Sequence, residues 1–175
     1  MNTQTPNTPA AALQFGYVDA ALGTVLVAES DRGVAAIFLG EDRAKLLSDL
    51  KVAFPGATLV EDEAALSATI AKVVNLVDAP HLATDLRLDL QGSPLELAVW
   101  EALRSIPPGE VRTYGALAKT LPVSATAQEV GAACAANRLA VAIPCHRVVK
   151  ADGSISGYRW GVQRKRRLIN LEGAA

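Results

Sequence analysis

Metal ligands are scarce in this 175-residue chain, which has two cysteines (Cys134 and Cys145) and two histidines (His81 and His146). No CxxC or HxxxH spacing joins them, which argues against a zinc site. Two thiols allow at most one disulfide, and a reducing cytosol argues against that one too. No apolar run is long enough to span a bilayer, so no membrane partner is expected. Met1–Ala12 is rich in Asn, Thr, Pro and Ala and has no apolar period, so a disordered tail is expected over 1–12. That tail lacks a basic stretch followed by an apolar one, so it is not read as a secretory signal, and a cytoplasmic protein is expected. Nucleotide, flavin and metal motifs are missing, so no cofactor is expected. Net charge is only −1, so bulk charge does not point to a polyanion.

The distribution of charge is more informative than its sum. Residues 1–90 carry 6 basic and 12 acidic side chains, whereas residues 91–175 carry 11 and 6. Either the second half faces a polyanion or the charges scatter between two lobes. The length allows one sizeable domain or two small lobes sharing a core. In the first half, apolar runs at 13–18, 22–28 and 33–39 predict a hairpin or meander. Helical spacing predicts helices over 42–54 and 64–77, and alternation at Leu86, Leu88 and Leu90 predicts a half-buried strand over 85–90. His81, beside Pro80, reads as a surface histidine. Residues 13–90 are therefore given a structural role.

The second half, 91–175, opens with Ser93 as a cap and Pro94 as the first residue of a helix running to about Ile106. Thr113 caps a second helix from Tyr114 to about Leu121. A third runs from Ala127 to about Asn137. Two short helices about a tight turn predict a helix-turn-helix. The third helix is mostly Gly and Ala. It is either buried against neighbours or lets its backbone approach a partner closely. With few long side chains, it would meet DNA by shape and backbone rather than by reading base edges. Arg159 with Arg164–Arg167 either contacts phosphates or forms a solvated helix face.

Chemistry concentrates at Pro144-Cys145-His146-Arg147. A cysteine ending an apolar run is commonly an inert core residue. The adjoining histidine supports a nucleophile, because an imidazole favours the thiolate. Neighbouring side chains diverge, so His146 would act through a water. A basic histidine needs an orienting acceptor, for which Glu172 and Glu101 compete.

Pro144-Cys145-His146-Arg147-Val148 resembles the active-site signature of the O6-alkylguanine-DNA alkyltransferases, in particular the bacterial Ada and Ogt branches. Ile155-Ser156-Gly157-Tyr158-Arg159-Trp160-Gly161 resembles the segment that walls their alkyl pocket. Pro108–Val111 with Thr113–Ala118 resembles the helix bearing their flipping tyrosine, and Cys134–Asn137 resembles the end of their recognition helix. The resemblance covers residues 94–173. The first half is compatible with the family's ribonuclease-H-like amino-terminal lobe, and nothing in the chain resembles the zinc-binding phosphotriester domain of full-length Ada proteins.

The resemblance implies a ribonuclease-H-like lobe packed on a helical carboxy-terminal lobe with a helix-turn-helix and a buried cysteine. It implies single-turnover DNA repair: an alkyl group, mainly methyl, passes irreversibly from O6-alkylguanine, and by extension O4-alkylthymine, to Cys145 after nucleotide flipping. Cys145 is then the acceptor, His146 the water-mediated base, Glu172 its orienter and Asn137 the support of the turn. Tyr114 pushes on the target phosphate and helps protonate the leaving guanine. Arg147 has a structural role. Tyr158, Trp160, Ser156 and Gly157 line the pocket, with Trp160 expected to disfavour benzyl-sized groups. Tyr114, Ala127, Gln128, Gly131, Ala132 and Ala135 meet the minor groove of double-stranded DNA, bound by a monomer. One departure stands out: Gln128 occupies the place where the family usually has arginine, and Glu129 follows it. Weaker engagement of duplex is expected. A cysteine hydrolase, a non-catalytic lesion binder and a sequence-reading regulator are the competing readings.

Overall fold

Along β1 (Ala12–Ala20), Leu13, Phe15 and Tyr17 turn inward, whereas β2 (Gly23–Ser30) and β3 (Gly33–Gly40) are buried through their centres. This difference sets the layers: β1 has one partly wet face, and β2 and β3 are covered on both. The computed structural model describes residues 12–82 and 84–173. The expected 1–12 tail therefore lies outside the described residues, apart from Ala12, which is the first residue of β1. β1 pairs antiparallel with β2, and β2 with β3. α1 (Arg43–Ala53), capped by Asp42, packs on β2 and β3. β4 (Thr58–Glu61) then returns parallel to β1, giving the order β3-β2-β1-β4. α2 (Ser67–Asp78) covers β1.

Two first-half expectations need correction. β4 was not foreseen, because its four residues lie at an exposed edge with only Leu59 half-buried, too short to show a period. The strand expected over 85–90 is not formed. It shrinks to one bridge, Val34 to Leu88, held by Val34 N donating to Arg87 O and Asp89 N donating to Val34 O. Further along the same edge of β3, Ile37 bridges to Leu139 instead. That edge is thus divided between two short segments, and the second one belongs to the carboxy-terminal half.

In that half, α3 (Pro94–Arg104) starts with a capping box in which Ser93 and Glu96 satisfy each other's backbone donors. β5 (Arg112–Thr113) leads directly into α4 (Tyr114–Thr120), and Thr126 caps α5 (Ala127–Ala135). Trp100 Nε1 of α3 donates to Ala133 O of α5 at 2.9 Å. A single 3-10 turn, Cys145–Arg147, precedes β6 (Val148–Val149), which pairs parallel with β5. α6 (Val162–Leu171) closes the chain. Among the described residues, no helix is long and apolar enough to cross a membrane.

Gly33 has φ +142°, and a Cβ there would sit only 2.5 Å from Arg87 O. Gly56 has φ +82° with open space around it. Gly56→Ala is expected to cost about 1–2 kcal/mol, the left-handed penalty alone. Gly33→Ala should cost clearly more in urea unfolding, because it also pushes the 87–89 segment off β3. Equal losses would show that this contact carries no weight.

Candidate active site

The pairing of β5 with β6 brings the two halves of the site together. Arg112 faces Val148 and Thr113 faces Val149, so Tyr114, the next residue, begins α4 beside the turn that holds Cys145. Asn137 fixes that turn from the other side. Its Oδ1 accepts from Leu139 N at 2.9 Å, and its Nδ2 donates to Ile143 O at 3.0 Å and to Cys145 Sγ at 3.3 Å. Between these anchors Val141 is held at φ 68°, a conformation that β-branched residues avoid. Such strain costs about 1–3 kcal/mol and persists where surroundings enforce it.

Behind Cys145 lies a buried ionic cluster. His146 Nε2 is 2.7 Å from Glu172 Oε1. Arg147 donates to the same carboxylate through Nε at 3.0 Å and Nη2 at 2.8 Å, and through Nη1 to Ile106 O at 2.7 Å. Burial opposes ionisation of Glu172, but the hydrogen bonds from His146 and Arg147 outweigh it and hold its pKa below the ordinary value. Burial likewise holds the pKa of His146 down, with Glu172 acting in the opposite direction. An ionised carboxylate only accepts, so Nε2 carries the ring proton and Nδ1 presents a lone pair. Nδ1 is buried without a hydrogen-bond partner. Glu101, the competing orienter, is exposed on α3 and lies 3.8 Å from Arg104.

In front of Cys145 is a cavity of about 400 Å³ lined by Tyr114, Gly131, Cys134, Ala135, Cys145, Gly157, Tyr158 and Arg159. Both cysteines are free thiols. Burial pushes the Cys145 thiol up, while the Asn137 hydrogen bond and the positive charges of Lys165 and Arg159 pull it back. Cys134, buried and facing Cys145, is pushed up to about 12. The site thus holds a neutral thiol with cations and a hydrogen-bond donor ready to stabilise its anion. The sequence reading had not singled out Cys134 as a wall of this cavity.

Comparison with known proteins fits this geometry. Residues 94–174 match the family model described as 6-O-methylguanine DNA methyltransferase, DNA binding domain. The chain is 38% identical over 136 residues to the methylated-DNA--protein-cysteine methyltransferase of Candida albicans, covering 77% of this chain and 75% of that protein. It is 42% identical over 161 residues to the bifunctional transcriptional activator/DNA repair enzyme Ada of Escherichia coli K12. That match covers 92% of this chain but 46% of the Ada protein, so the chain spans about half the length of that relative. A solved structure of Mycobacterium tuberculosis OGT in complex with DNA superposes with TM-score 0.76 at 30% identity, covering 92% of this chain and 93% of that one. The chain belongs to the O6-methylguanine-DNA methyltransferase family.

Several residues stand elsewhere than expected for a member of this family. Trp160 does not line the cavity. It is buried behind Tyr158, ring centroids 5.3 Å apart, and stacks toward Phe38 at 6.4 Å, because the apolar sheet draws the indole in. Its expected effect on benzyl-sized groups loses its geometric basis. Ser156 is buried beside the cavity rather than in its wall, with Oγ 2.5 Å from Tyr114 Oη. The basic run of α6 does not form one phosphate-facing stripe. Arg164 donates to Leu22 O at 2.7 Å and to Glu41, Arg167 donates to Ala21 O at 2.9 Å, and Lys165 is fully buried. Arg159 donates to Asn137 O at 2.7 Å. Gly131 and Ala135 line the cavity, whereas Ala127, Gln128 and Ala132 are exposed on α5.

The Glu172 cluster makes the fold sensitive to acid. His146 and Glu172 both have lowered pKa values, so the unfolded chain binds protons that the folded chain refuses. Stability is complete above the unfolded values and falls with pH, first below about 6.5 for the histidine and then below about 4.3 for the carboxylate. Urea unfolding from pH 7.5 to 3.5 should show both declines, and a flat profile between pH 7 and 5 would contradict the histidine assignment. Glu172→Gln is expected to remove the lower decline and to lose about 3 kcal/mol at pH 7.5, because it leaves Arg147 buried without its counter-charge.

Proposed function

We propose that this protein repairs DNA by transferring an alkyl group, mainly methyl, from O6-alkylguanine, and by extension O4-alkylthymine, to Cys145, once per chain. One observation carries the reading: Cys145, its Sγ held by Asn137, adjoins in the chain the buried His146 that Glu172 orients, and lines a cavity that Tyr114 also lines. A base next to the thiol in the chain and a phenol on the same cavity suit an in-line displacement at carbon. His146 Nδ1 takes the thiol proton through a water, Glu172 stabilises the resulting cation, and Tyr114 supplies a proton to the departing base. The product is a thioether with no carbonyl for water to attack, so the chain is spent.

The same reading assigns Tyr158 and Gly157 to the pocket wall, as their lining positions support. Cys145 is only 4% exposed, so a base inside a duplex reaches it only by flipping out. The packing of α4 against α5 supports a helix-turn-helix, and the exposed small residues of α5 support a close approach of its backbone to the minor groove of double-stranded DNA. Three antiparallel strands, a helix and a strand parallel to the first support a ribonuclease-H-like amino-terminal lobe. The chain acts as a monomer in the cytosol, where both thiols stay reduced.

Mass spectrometry after incubation with a duplex bearing O6-methylguanine should show one added methyl, on Cys145, and no more. An unchanged mass, or turnover beyond one equivalent, would overturn the reading. Gln128 is exposed near the start of α5 and brings no charge to DNA. Gln128→Arg is expected to tighten duplex binding about threefold to tenfold and to steepen its salt dependence by about one phosphate contact. An unchanged salt slope in a binding titration would show that position 128 does not face the backbone.

A further inference from the structure

Lys165 is a fully buried cation outside the His146–Glu172–Arg147 cluster, with no part in the proton transfers above beyond favouring the Cys145 thiolate. Its Nζ donates to Val148 O at 2.6 Å and to Ser156 Oγ at 2.8 Å, and Ser156 Oγ lies 2.5 Å from Tyr114 Oη. These contacts form one continuous chain of exchangeable protons, Lys165 to Ser156 to Tyr114, ending at the phenol that faces the cavity. A lysine ammonium only donates, so Ser156 accepts from Lys165 and is free to donate to Tyr114.

We propose that Lys165 and Ser156 are a proton relay that resupplies Tyr114 as it protonates the departing base. The inference rests on the alkyl-transfer reading above. As the sulfur–carbon bond forms, the carbon–O6 bond breaks and its electron pair stays on guanine. Guanine takes the Tyr114 proton, Tyr114 takes the Ser156 proton, and Ser156 takes one from Lys165, which ends as a neutral amine. The thiol proton has moved the opposite way, to His146, where the new positive charge rests against Glu172. One cation disappears as another appears, so the buried site never gains net charge. Burial already holds the Lys165 pKa below its ordinary value, which eases the loss of its proton. While still protonated, the same ammonium stabilises the Cys145 thiolate.

The test is single-turnover methyl transfer by rapid quench, with protein saturating over an O6-methylguanine duplex. Ser156→Ala should slow the saturated rate about tenfold or more, part of the roughly hundredfold or greater contribution of a general acid, with duplex affinity unchanged. Ser156→Thr, which keeps the hydroxyl, should recover to within about threefold of the parent. Ser156→Ala added to Tyr114→Phe should slow transfer no further than Tyr114→Phe alone. Lys165→Met should match Ser156→Ala if it folds, and Ser156→Ala decides the question if it does not, because Lys165 then keeps its Val148 and Gly157 acceptors. A Ser156→Ala variant as fast as the parent, a Thr variant as slow as Ala, or multiplying effects with Tyr114→Phe would each overturn the relay. Absence of methyl transfer in the parent protein would instead overturn the functional reading beneath it.

Discussion

The carboxylate of Glu172 is the point on which the carboxy-terminal half turns. It lies just past the last residue of α6, its side chain is 1% exposed, and it is the shared acceptor for His146 and Arg147. A buried carboxylate is costly unless fully bonded, and here the donors come from the 3-10 turn that carries Cys145. Arg147 extends the cluster to the Ile106 and Pro80 carbonyls, so one charge ties α6, the active-site turn, the end of α3 and the segment after α2 together. The same bond selects the histidine tautomer. Structural and chemical demands on Glu172 therefore coincide.

Around the sulfur, burial and charge act in opposite directions. Burial keeps Cys145 a thiol at rest, while Asn137, Lys165 and Arg159 favour its anion. Neither side removes the need for a base, so the thiolate is made on demand rather than stored. A stored thiolate would be open to oxidation and to any passing electrophile. Cys134, sharing the cavity but pushed up to about 12, remains protonated and leaves the cavity a single strong nucleophile.

Much of this was legible in the chain itself. Caps at Ser93 and Thr113 located the starts of α3 and α4, because local hydrogen bonds define those starts, and α5 begins at Ala127 as expected, although its Thr126 cap was not recognised. Cys145 and His146 stood out by adjacency, with Glu172 one of two candidate orienters, whereas Asn137 came through resemblance, since nothing in the spacing could show that 137, 145 and 172 converge. Where local signals were weak, the reading failed. β4 is too short and exposed to show a period. The alternation of Leu86, Leu88 and Leu90 reflects partial burial in an extended segment with one ladder contact. Trp160 was read from its sequence neighbours, although packing against Phe38 decides where it points.

Lys165 is the most instructive miss, because the signal existed. Inside Arg164-Lys165-Arg166-Arg167 it reads as one more solvated cation. Helical geometry separates it: Lys165, Leu168, Ile169 and Glu172 fall at i, i+3, i+4 and i+7, one face of α6. Since Leu168 and Ile169 are core residues, the face that buries them must carry Lys165 and Glu172 inward with them. One helix thus delivers an acid and a base to a single interior seven residues apart, Glu172 behind the sulfur against His146 and Lys165 beside Ser156 and Tyr114. Neither could be solvated there, so each needs its own bonding partners. Those partners are the groups through which the proposed reaction gives and takes its protons, and of the four cations of α6 only Lys165 is committed to the interior.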